Sequence, residues 1–244
     1  MQESNLLPFR LLKTCQVRTK GSYIMEEVHR QLDRREKIIV ALIDQMVEAT
    51  DKALEQALLC FRTGDRELAH AVLAEDREIN LLQKNVEEEC IVTIAREQPV
   101  ARDLRMITAD MAISNDLERM ADHAAGIANT VTQMDRRVLP DYAQAIEGMG
   151  LRCREMLSAI HQAYRKLDAE RARDVAAMET EIDREEQQLV RSLFEHMKAN
   201  PDDTEIATYM MWVSHGLERF ADRITNIAER IVYMRTAEVV DLNY

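Results

Sequence analysis

Two acidic pairs stand at matching places in two similar stretches of the sequence. Glu118 and Asp122 are four residues apart, and Glu218 and Asp222 repeat the same spacing 100 residues later. On an α-helix, residues i and i+4 project from one face, so each pair directs two carboxylates toward the same space. Hard carboxylate oxygens are ligands that Mg, Ca, Mn and Fe ions accept. The spacing therefore makes a metal site a hypothesis for each stretch.

Each acidic pair has a counterpart on the preceding predicted helix. An antiparallel hairpin that turns near Pro99 would place residue 76 level with about residue 120, given equal rises of about 1.5 Å per residue along both helices. A second hairpin that turns near Pro201 would have the same register. We therefore predict two sets of metal ligands. The first set is Asp76, Asn80, Glu118 and Asp122, and the second is Glu179, Asp183, Glu218 and Asp222.

A structural role without metal is the alternative explanation of these carboxylates. They repel one another unless a cation neutralises them, so a solvated acidic stripe or a salt-bridge network would also account for the pattern. Arg119 and Arg219 follow the acids in sequence, but one step along a helix turns a side chain by about 100°. Asn80 offers an amide oxygen instead of a carboxylate, so the first set should bind more weakly. The identity of the ion stays open among Fe, Mn, Mg, Zn and Ca.

The elements that carry these residues are predicted to be six long helices. Apolar residues recur every three or four positions over long segments, which is typical of amphipathic helices. With six glycines and four prolines in 244 residues, turns are few, and we place them at Gly64, Pro99 and Pro201, with a linker at 135–140. The sequence therefore predicts an all-α fold. The predicted helices span residues 24–63, 67–97, 102–134, 142–167, 168–198 and 204–235.

The third and sixth predicted helices are copies of one another. At an offset of 100 residues, eight identities fall within 15 positions, which indicates a tandem duplication of a three-helix bundle. We predict a flexible leader over residues 1–24, a first bundle over 25–137 and a second over 138–244. The repeated residues are Ser114, Leu117, Glu118, Arg119, Ala121, Asp122, Ile127 and Ala128.

Composition narrows the class of function. A net charge of −12 argues against a nucleic-acid surface, and no apolar run approaches the ~18 residues of a membrane span. Nucleophile motifs, a Gly-rich phosphate loop and a dinucleotide fingerprint are missing from the sequence. We expect a cytoplasmic, non-enzymatic protein. A metal-dependent helical-bundle enzyme and a metal-free structural adapter remain the alternatives.

The repeated motif resembles that of a known family. The stretches at 117–123 and 217–223 read LERMADH and LERFADR, similar to the LERxxD repeats of the PhoU family. The segments at 88–90, 98–99 and 103–105 look like the family's connection between its second and third helices. The resemblance covers about residues 25–236, and Asn80 departs from the family's acidic motif.

This resemblance implies a fold, a location and a role. It implies two three-helix bundles in a cytoplasmic homodimer that carries metal ions on E(D)xxxD motifs. It also implies negative regulation of the phosphate-starvation response, through a link between the ATPase of the Pst phosphate ABC transporter and a sensor histidine kinase. Such a protein would reach the membrane only through its partners. Nothing in the sequence looks like a phosphate pocket, so we expect the phosphate signal to arrive through the transporter's conformation.

Overall fold

Six long helices build the fold, and one of them is interrupted. The structure is a computed structural model that describes residues 20–135 and 138–242, with side chains from residue 30. The helices are α1 (Lys20–Thr63), α2 (Arg66–Glu97), α3 (Ala101–Gln133), α4 (Pro140–Lys166), α5 (Ala169–Ala177), α6 (Glu179–Ala199) and α7 (Thr204–Thr236). A 3₁₀ turn, Pro201–Asp203, precedes α7. These ranges contain no strand, and the all-α prediction is confirmed.

Local sequence signals explain where most helices begin and end. The Asp65 carboxylate accepts a hydrogen bond of 3.0 Å from the main-chain N–H of Leu68 and so caps α2. Asp168 caps α5 in the same way at 3.0 Å from the N–H of Arg171. Gly64, between α1 and α2, has a φ of +70°, a conformation in which a side chain would be strained.

Two helix boundaries differ from the prediction. Helix α1 begins at Lys20, so the last five residues of the predicted leader, 20–24, are helical; residues 1–19 lie outside the described part. The helix predicted from Asp168 to residue 198 is interrupted at Met178, whose N–H bonds to the carbonyl of Val175 at 3.1 Å. No proline or glycine marks this interruption in the sequence. It makes Glu179 the first residue of α6.

The seven helices share one apolar core. Helices α1, α2 and α3 pack on one another, helix α7 packs on α4, α5 and α6, and the most extensive contact of all joins α3 to α7. Buried apolar residues from all seven helices form a single continuous cluster. The apolar core is therefore continuous between the two predicted bundles, and the boundary at residues 137 and 138 stays a prediction.

The contact between α3 and α7 is reciprocal. On α3, Asp116 lies 3.8 Å from the Arg223 guanidinium of α7. One hundred residues on, a Cβ atom added to Gly216 of α7 would lie 3.8 Å from the carbonyl oxygen of His123 on α3. Residues 116 and 216 are equivalent in the repeat, and so are 123 and 223. The two halves therefore meet through a pseudo-two-fold axis.

Polar contacts also hold α4 against the first half. Arg154 makes two hydrogen bonds of 2.8 Å to the carboxylate of Asp51 on α1. The Tyr164 hydroxyl donates to Asp110 of α3 at 2.8 Å, and burial raises the pKa of that carboxyl to about 7. Within 20–135 and 138–242, every helix is too short or too polar to cross a lipid bilayer.

Candidate metal centre

The second predicted ligand set comes together on α6 and α7. Glu179 and Asp183 lie on α6, and Glu218 and Asp222 lie on the facing turn of α7. One carboxylate oxygen each from Glu179, Asp183 and Glu218 falls within 4.8 Å of the others. We call the four residues the second cluster. The predicted hairpin register therefore brings donors from two helices to one place.

The second cluster is electrostatically strained in the absence of a bound cation. The pKa of Glu179 is raised to about 7, chiefly by burial and then by the neighbouring charges of Asp183, Asp222 and Glu218. Burial also raises the pKa of Glu218, while the Arg219 guanidinium partly offsets that rise. A positive ion close to such a carboxyl group would stabilise its charged form.

Arginine supplies part of that positive charge. The Arg219 Nε lies 3.0 Å from Glu218 Oε2, and its guanidinium also hydrogen bonds to Asp222 Oδ2 at 3.4 Å. The sequence had suggested that this side chain would point around the helix. The Arg219 side chain is long enough for its guanidinium to fold back along the helix surface. These contacts support the alternative explanation, in which salt bridges instead of a metal ion neutralise the carboxylates. Arg223 is the only other arginine near these acids in the described part of the chain, at 4.0 Å from Asp222, so two guanidinium groups face four carboxylates.

Two further potential ligands at this site, Glu186 and His215, were missed in the sequence analysis. The Nδ1 atom of His215 lies 3.4 Å from Glu218 Oε2 and 4.0 Å from Glu186 Oε1. Glu186 is three residues after Asp183, and His215 is three residues before Glu218, so both lie on the same helix faces as the predicted ligands. A search for donors at i+3 as well as i+4 would have found them.

The first predicted set also comes together, on α2 and α3. Burial and then the charge of Asp122 raise the pKa of Asp76, and the same two causes act on Glu118. The Asn80 amide donates a hydrogen bond of 3.2 Å to Asp76 Oδ2, which partly lowers the pKa of Asp76. We call these four residues the first cluster. In the described part of the chain, the second cluster alone brings three metal-ligating atoms within 4.8 Å.

The two clusters differ in burial. The Glu218 side chain is 12% exposed and Glu118 is 24% exposed, and the figures for Asp222 and Asp122 are 22% and 44%. Each acid of the second cluster on α7 is thus about half as exposed as its counterpart on α3. Less competition from water makes the second cluster the stronger candidate for an ion.

His123 stands between the two clusters. It is partly buried, and burial lowers its pKa. Arg223, Arg219 and His215 of α7 lower that pKa further, whereas the charge of Asp122 raises it. The lowered pKa favours a neutral His123, which lies close to Arg219 and Arg223 of α7.

A cavity lies elsewhere, between the α1–α2 turn and the start of α4. Its volume is about 1000 Å³, and Arg66 and Glu147 are among its polar lining residues. Arg66 donates hydrogen bonds to the main chain of Met134 and to Asp135. In the part of the chain that the structure describes, no predicted metal ligand and no histidine or cysteine lines this cavity. The clusters and the cavity are separate features.

Comparisons with known proteins fit this arrangement of two repeats. The family described as "PhoU domain" matches twice, over residues 43–131 and 146–231. The phosphate-specific transport system accessory protein PhoU homolog of Streptococcus pneumoniae is 33% identical over 213 residues, covering 87% of this chain and 97% of that protein. The corresponding homolog of Clostridium acetobutylicum is 30% identical over 220 residues, covering 90% and 95%.

Solved structures show the same fold. The crystal structure of the phosphate transport system regulatory protein PhoU from Streptococcus pneumoniae matches with a TM-score of 0.78 and 31% identity, covering 88% of this chain and 99% of that one. PhoU from Pseudomonas aeruginosa matches with a TM-score of 0.81 and 28% identity, covering 84% and 99%.

Proposed function

The chain belongs to the PhoU family, and from that premise we propose that it is a non-enzymatic regulator of phosphate uptake. The observation that carries this proposal is the double match of the family across both halves, over nearly the full length of relatives named as accessory proteins of phosphate-specific transport. An accessory protein of nearly the same length and fold supports the same role for this chain.

We propose that its partners are the ATPase of the phosphate ABC transporter and a sensor histidine kinase, and that it acts as a homodimer in the cytoplasm. Several large apolar side chains stand exposed on the acidic surface, among them Leu81, Leu151 and Trp212. An exposed tryptophan such as Trp212 is a common anchor for a protein partner. The regulator must bind its partners with different affinity in high and low phosphate, because only differential affinity shifts an equilibrium.

We also propose that the protein binds metal ions. The second cluster supports this, since its carboxylates from two helices approach within 4.8 Å and Arg219 is their closest cation. An ion there would join α6 to α7 and remove the repulsion that raises the pKa of Glu179. The competing interpretation is a structural adapter without metal. Elemental analysis of the purified protein would distinguish the two interpretations.

Expression of phosphate-starvation genes tests the regulatory proposal. Deleting the gene should turn these genes on in phosphate-rich medium, and the wild-type gene supplied on a plasmid should turn them off again. Unchanged expression in the deletion strain would falsify the proposal. Calorimetry on the purified protein tests the indirect route of the signal: we expect no heat of binding with inorganic phosphate, and micromolar binding would mean that the protein senses phosphate itself.

A further inference from the structure

We propose that a pocket between α1 and α4 binds a free amino acid with an apolar side chain. The pocket has a volume of about 310 Å³ and lies beside the larger cavity described above, with which it shares Arg62 and Glu147. Its apolar lining comes from Leu58, Leu59 and Leu151, and we call it the leucine pocket. The inference goes beyond the proposed function and does not depend on a bound metal ion.

Two charged side chains at the leucine pocket have no partner. Arg62 belongs to the last turn of α1 and Glu147 to α4, and in the described part of the chain neither side chain forms an ion pair or a hydrogen bond. The other two charged lining residues, Glu55 and Arg154, form an ion pair of 3.0 Å. A guanidinium binds a carboxylate through two parallel hydrogen bonds, and a carboxylate accepts hydrogen bonds from an ammonium group. An amino acid carries both groups, so it would satisfy Arg62 and Glu147 without adding net charge.

Helices α1 and α4 are equivalent in the repeat. Thr50 Oγ1 of α1 donates a hydrogen bond of 3.4 Å to the carbonyl oxygen of Leu117. Cys153 Sγ of α4 donates to the carbonyl oxygen of Leu217 at the same distance, 3.4 Å. The two acceptors are 100 residues apart, as the repeat of α3 and α7 requires, and the two donors are 103 residues apart. An offset of 103 residues therefore relates positions on α1 to positions on α4.

The leucine pocket has a counterpart across the pseudo-two-fold axis in which the same charges are joined. At this offset Asp44 of α1 is equivalent to Glu147 of α4. Arg165 is likewise equivalent to Arg62. Arg165 lies 3.2 Å from Asp44, and His161 Nε2 lies 2.7 Å from the same carboxylate. The same pair of an acid and an arginine therefore meets on one side of the axis and stays open on the other.

The linings of the two pockets differ in polarity. In the counterpart, His161 stands at the position equivalent to Leu58. Glu48 stands there at the position equivalent to Leu151. In the leucine pocket, Leu59 and Leu151 are 39% and 57% exposed. Covering such apolar surface with another apolar group removes it from water, which is favourable. The leucines would therefore contact the apolar side chain of the amino acid.

Three related compounds test whether the pocket recognises both charges of the ligand. L-Leucine carries a carboxylate and an ammonium group, isoamylamine lacks the carboxylate, and isocaproate lacks the ammonium group. L-Leucine should bind, and each analogue should bind at least about tenfold more weakly, because it leaves one charge of the pocket without a partner. Calorimetry with the full-length protein measures the affinities. Methyl resonances of its ¹³C-labelled leucine residues locate the site, and Leu58, Leu59 and Leu151 should shift.

The repeat supplies the variants and a matched control. Arg62→Gln should weaken L-leucine binding by at least about tenfold, as should Glu147→Gln. Arg165→Gln makes the same change at the equivalent arginine, and it should leave the affinity near that of the wild type. Leu58→His with Glu147→Asp installs the residues of the counterpart, so it should join the charges across the pocket and abolish binding. Circular dichroism should show that Arg62→Gln and Glu147→Gln remain folded, since neither side chain has a partner to lose.

Three results would overturn the inference. The first is equal affinity for the three compounds, or wild-type affinity in Arg62→Gln and Glu147→Gln, since the charges would then not be recognised. The second is the absence of methyl shifts with both L-leucine and L-phenylalanine at about 10 mM. The third is methyl shifts that depend on protein concentration instead, which would show that a second copy of the chain covers the pocket. None of these results bears on the regulatory proposal, which the expression of starvation genes tests separately.

Discussion

The two clusters share a backbone frame and a motif, yet they are not equivalent sites. Both have the Leu-Glu-Arg-x-x-Asp sequence on the third helix of their repeat. The second cluster has more acids, about half the exposure on α7, and Glu186 with His215 beside it. The difference teaches that the same motif can hold its acids in different surroundings, and that residues outside the motif determine the burial and charge around them.

Arginine contributes to the difference in burial. Arg219 approaches Glu218 and Asp222 to 3.0 and 3.4 Å, whereas Arg119 stays 3.8 and 4.0 Å from Glu118 and Asp122. The closer guanidinium covers its acids from water. Under the proposal of a bound ion, Arg219 would compete with that ion for the same carboxylate oxygens.

The largest effect should come from removing the acids on α7. We expect Glu218→Ala with Asp222→Ala to lower the metal content and to weaken the tightest binding step by at least about 100-fold, because even outer partners of metal ligands contribute about 10–100-fold each. The equivalent pair, Glu118→Ala with Asp122→Ala, should affect only a weaker step. Elemental analysis and calorimetry measure both.

Circular dichroism should show that both double variants remain folded. Equal metal content in the wild type and the α7 variant would exclude the second cluster as the site. Equal losses in the two double variants would mean that the clusters bind alike.

A smaller effect should follow from replacing Asn80 with aspartate, which gives the first cluster a fourth carboxylate. Asn80→Asp should strengthen binding at the first cluster by about tenfold, since it adds a carboxylate and removes the amide that donates to Asp76. Calorimetry with Mg²⁺ measures the gain. Asn80→Ala controls for loss of the amide, and an equal response in both variants would show that the added charge is not the cause.

The smallest effect should appear in the stability of the metal-free protein. Glu179 holds its proton to about pH 7 when folded, against 4.5 as its ordinary value. Between these values the folded state binds more protons than the unfolded state, so stability falls as pH rises. Glu179→Gln should remove that loss and raise the free energy of unfolding at pH 8 by about 1 kcal/mol, after allowance for solvent screening.

Urea unfolding at pH 8 and at pH 4 measures this gain, which should nearly vanish at the lower pH. Asp76→Asn is the matched variant in the first cluster, where fewer carboxylates meet, and it should gain less. An equal gain in the two variants would contradict the stronger repulsion assigned to the second cluster.

Much of the fold could be predicted from the sequence because its signals are local. Asp65 and Asp168 cap helices as their positions indicate, and the hairpin register follows from equal rise on paired helices. The interruption at Met178 could not be predicted, because residues 176–180 read as ordinary helix and the three-residue bond at Val175 has no sequence signature. The start of α1 at Lys20 was missed because apolar periodicity begins only near residue 24.

The candidate site was predicted in outline but not in its details. The i,i+4 rule finds carboxylates that share a face, and three of the eight predicted residues, Glu179, Asp183 and Glu218, bring ligating atoms within 4.8 Å of one another. The distance of Arg219 from Glu218 depends on rotamers of a long side chain, which spacing does not fix. His215 was missed because it lies three residues before Glu218 on α7, whereas the prediction used only the four-residue spacing.

The reciprocal contact between α3 and α7 has the symmetry of a homodimer interface. Residue 116 meets 223 while 216 meets 123, which is the rule for an isologous interface between two identical subunits. The protein thus has the internal symmetry of a closed homodimer, with both copies on one polypeptide. On one polypeptide each copy can differ from the other, which a symmetric homodimer forbids. The histidine at 215 and the asparagine at 115 are such a change, one that a single gene encoding both subunits could never have kept apart.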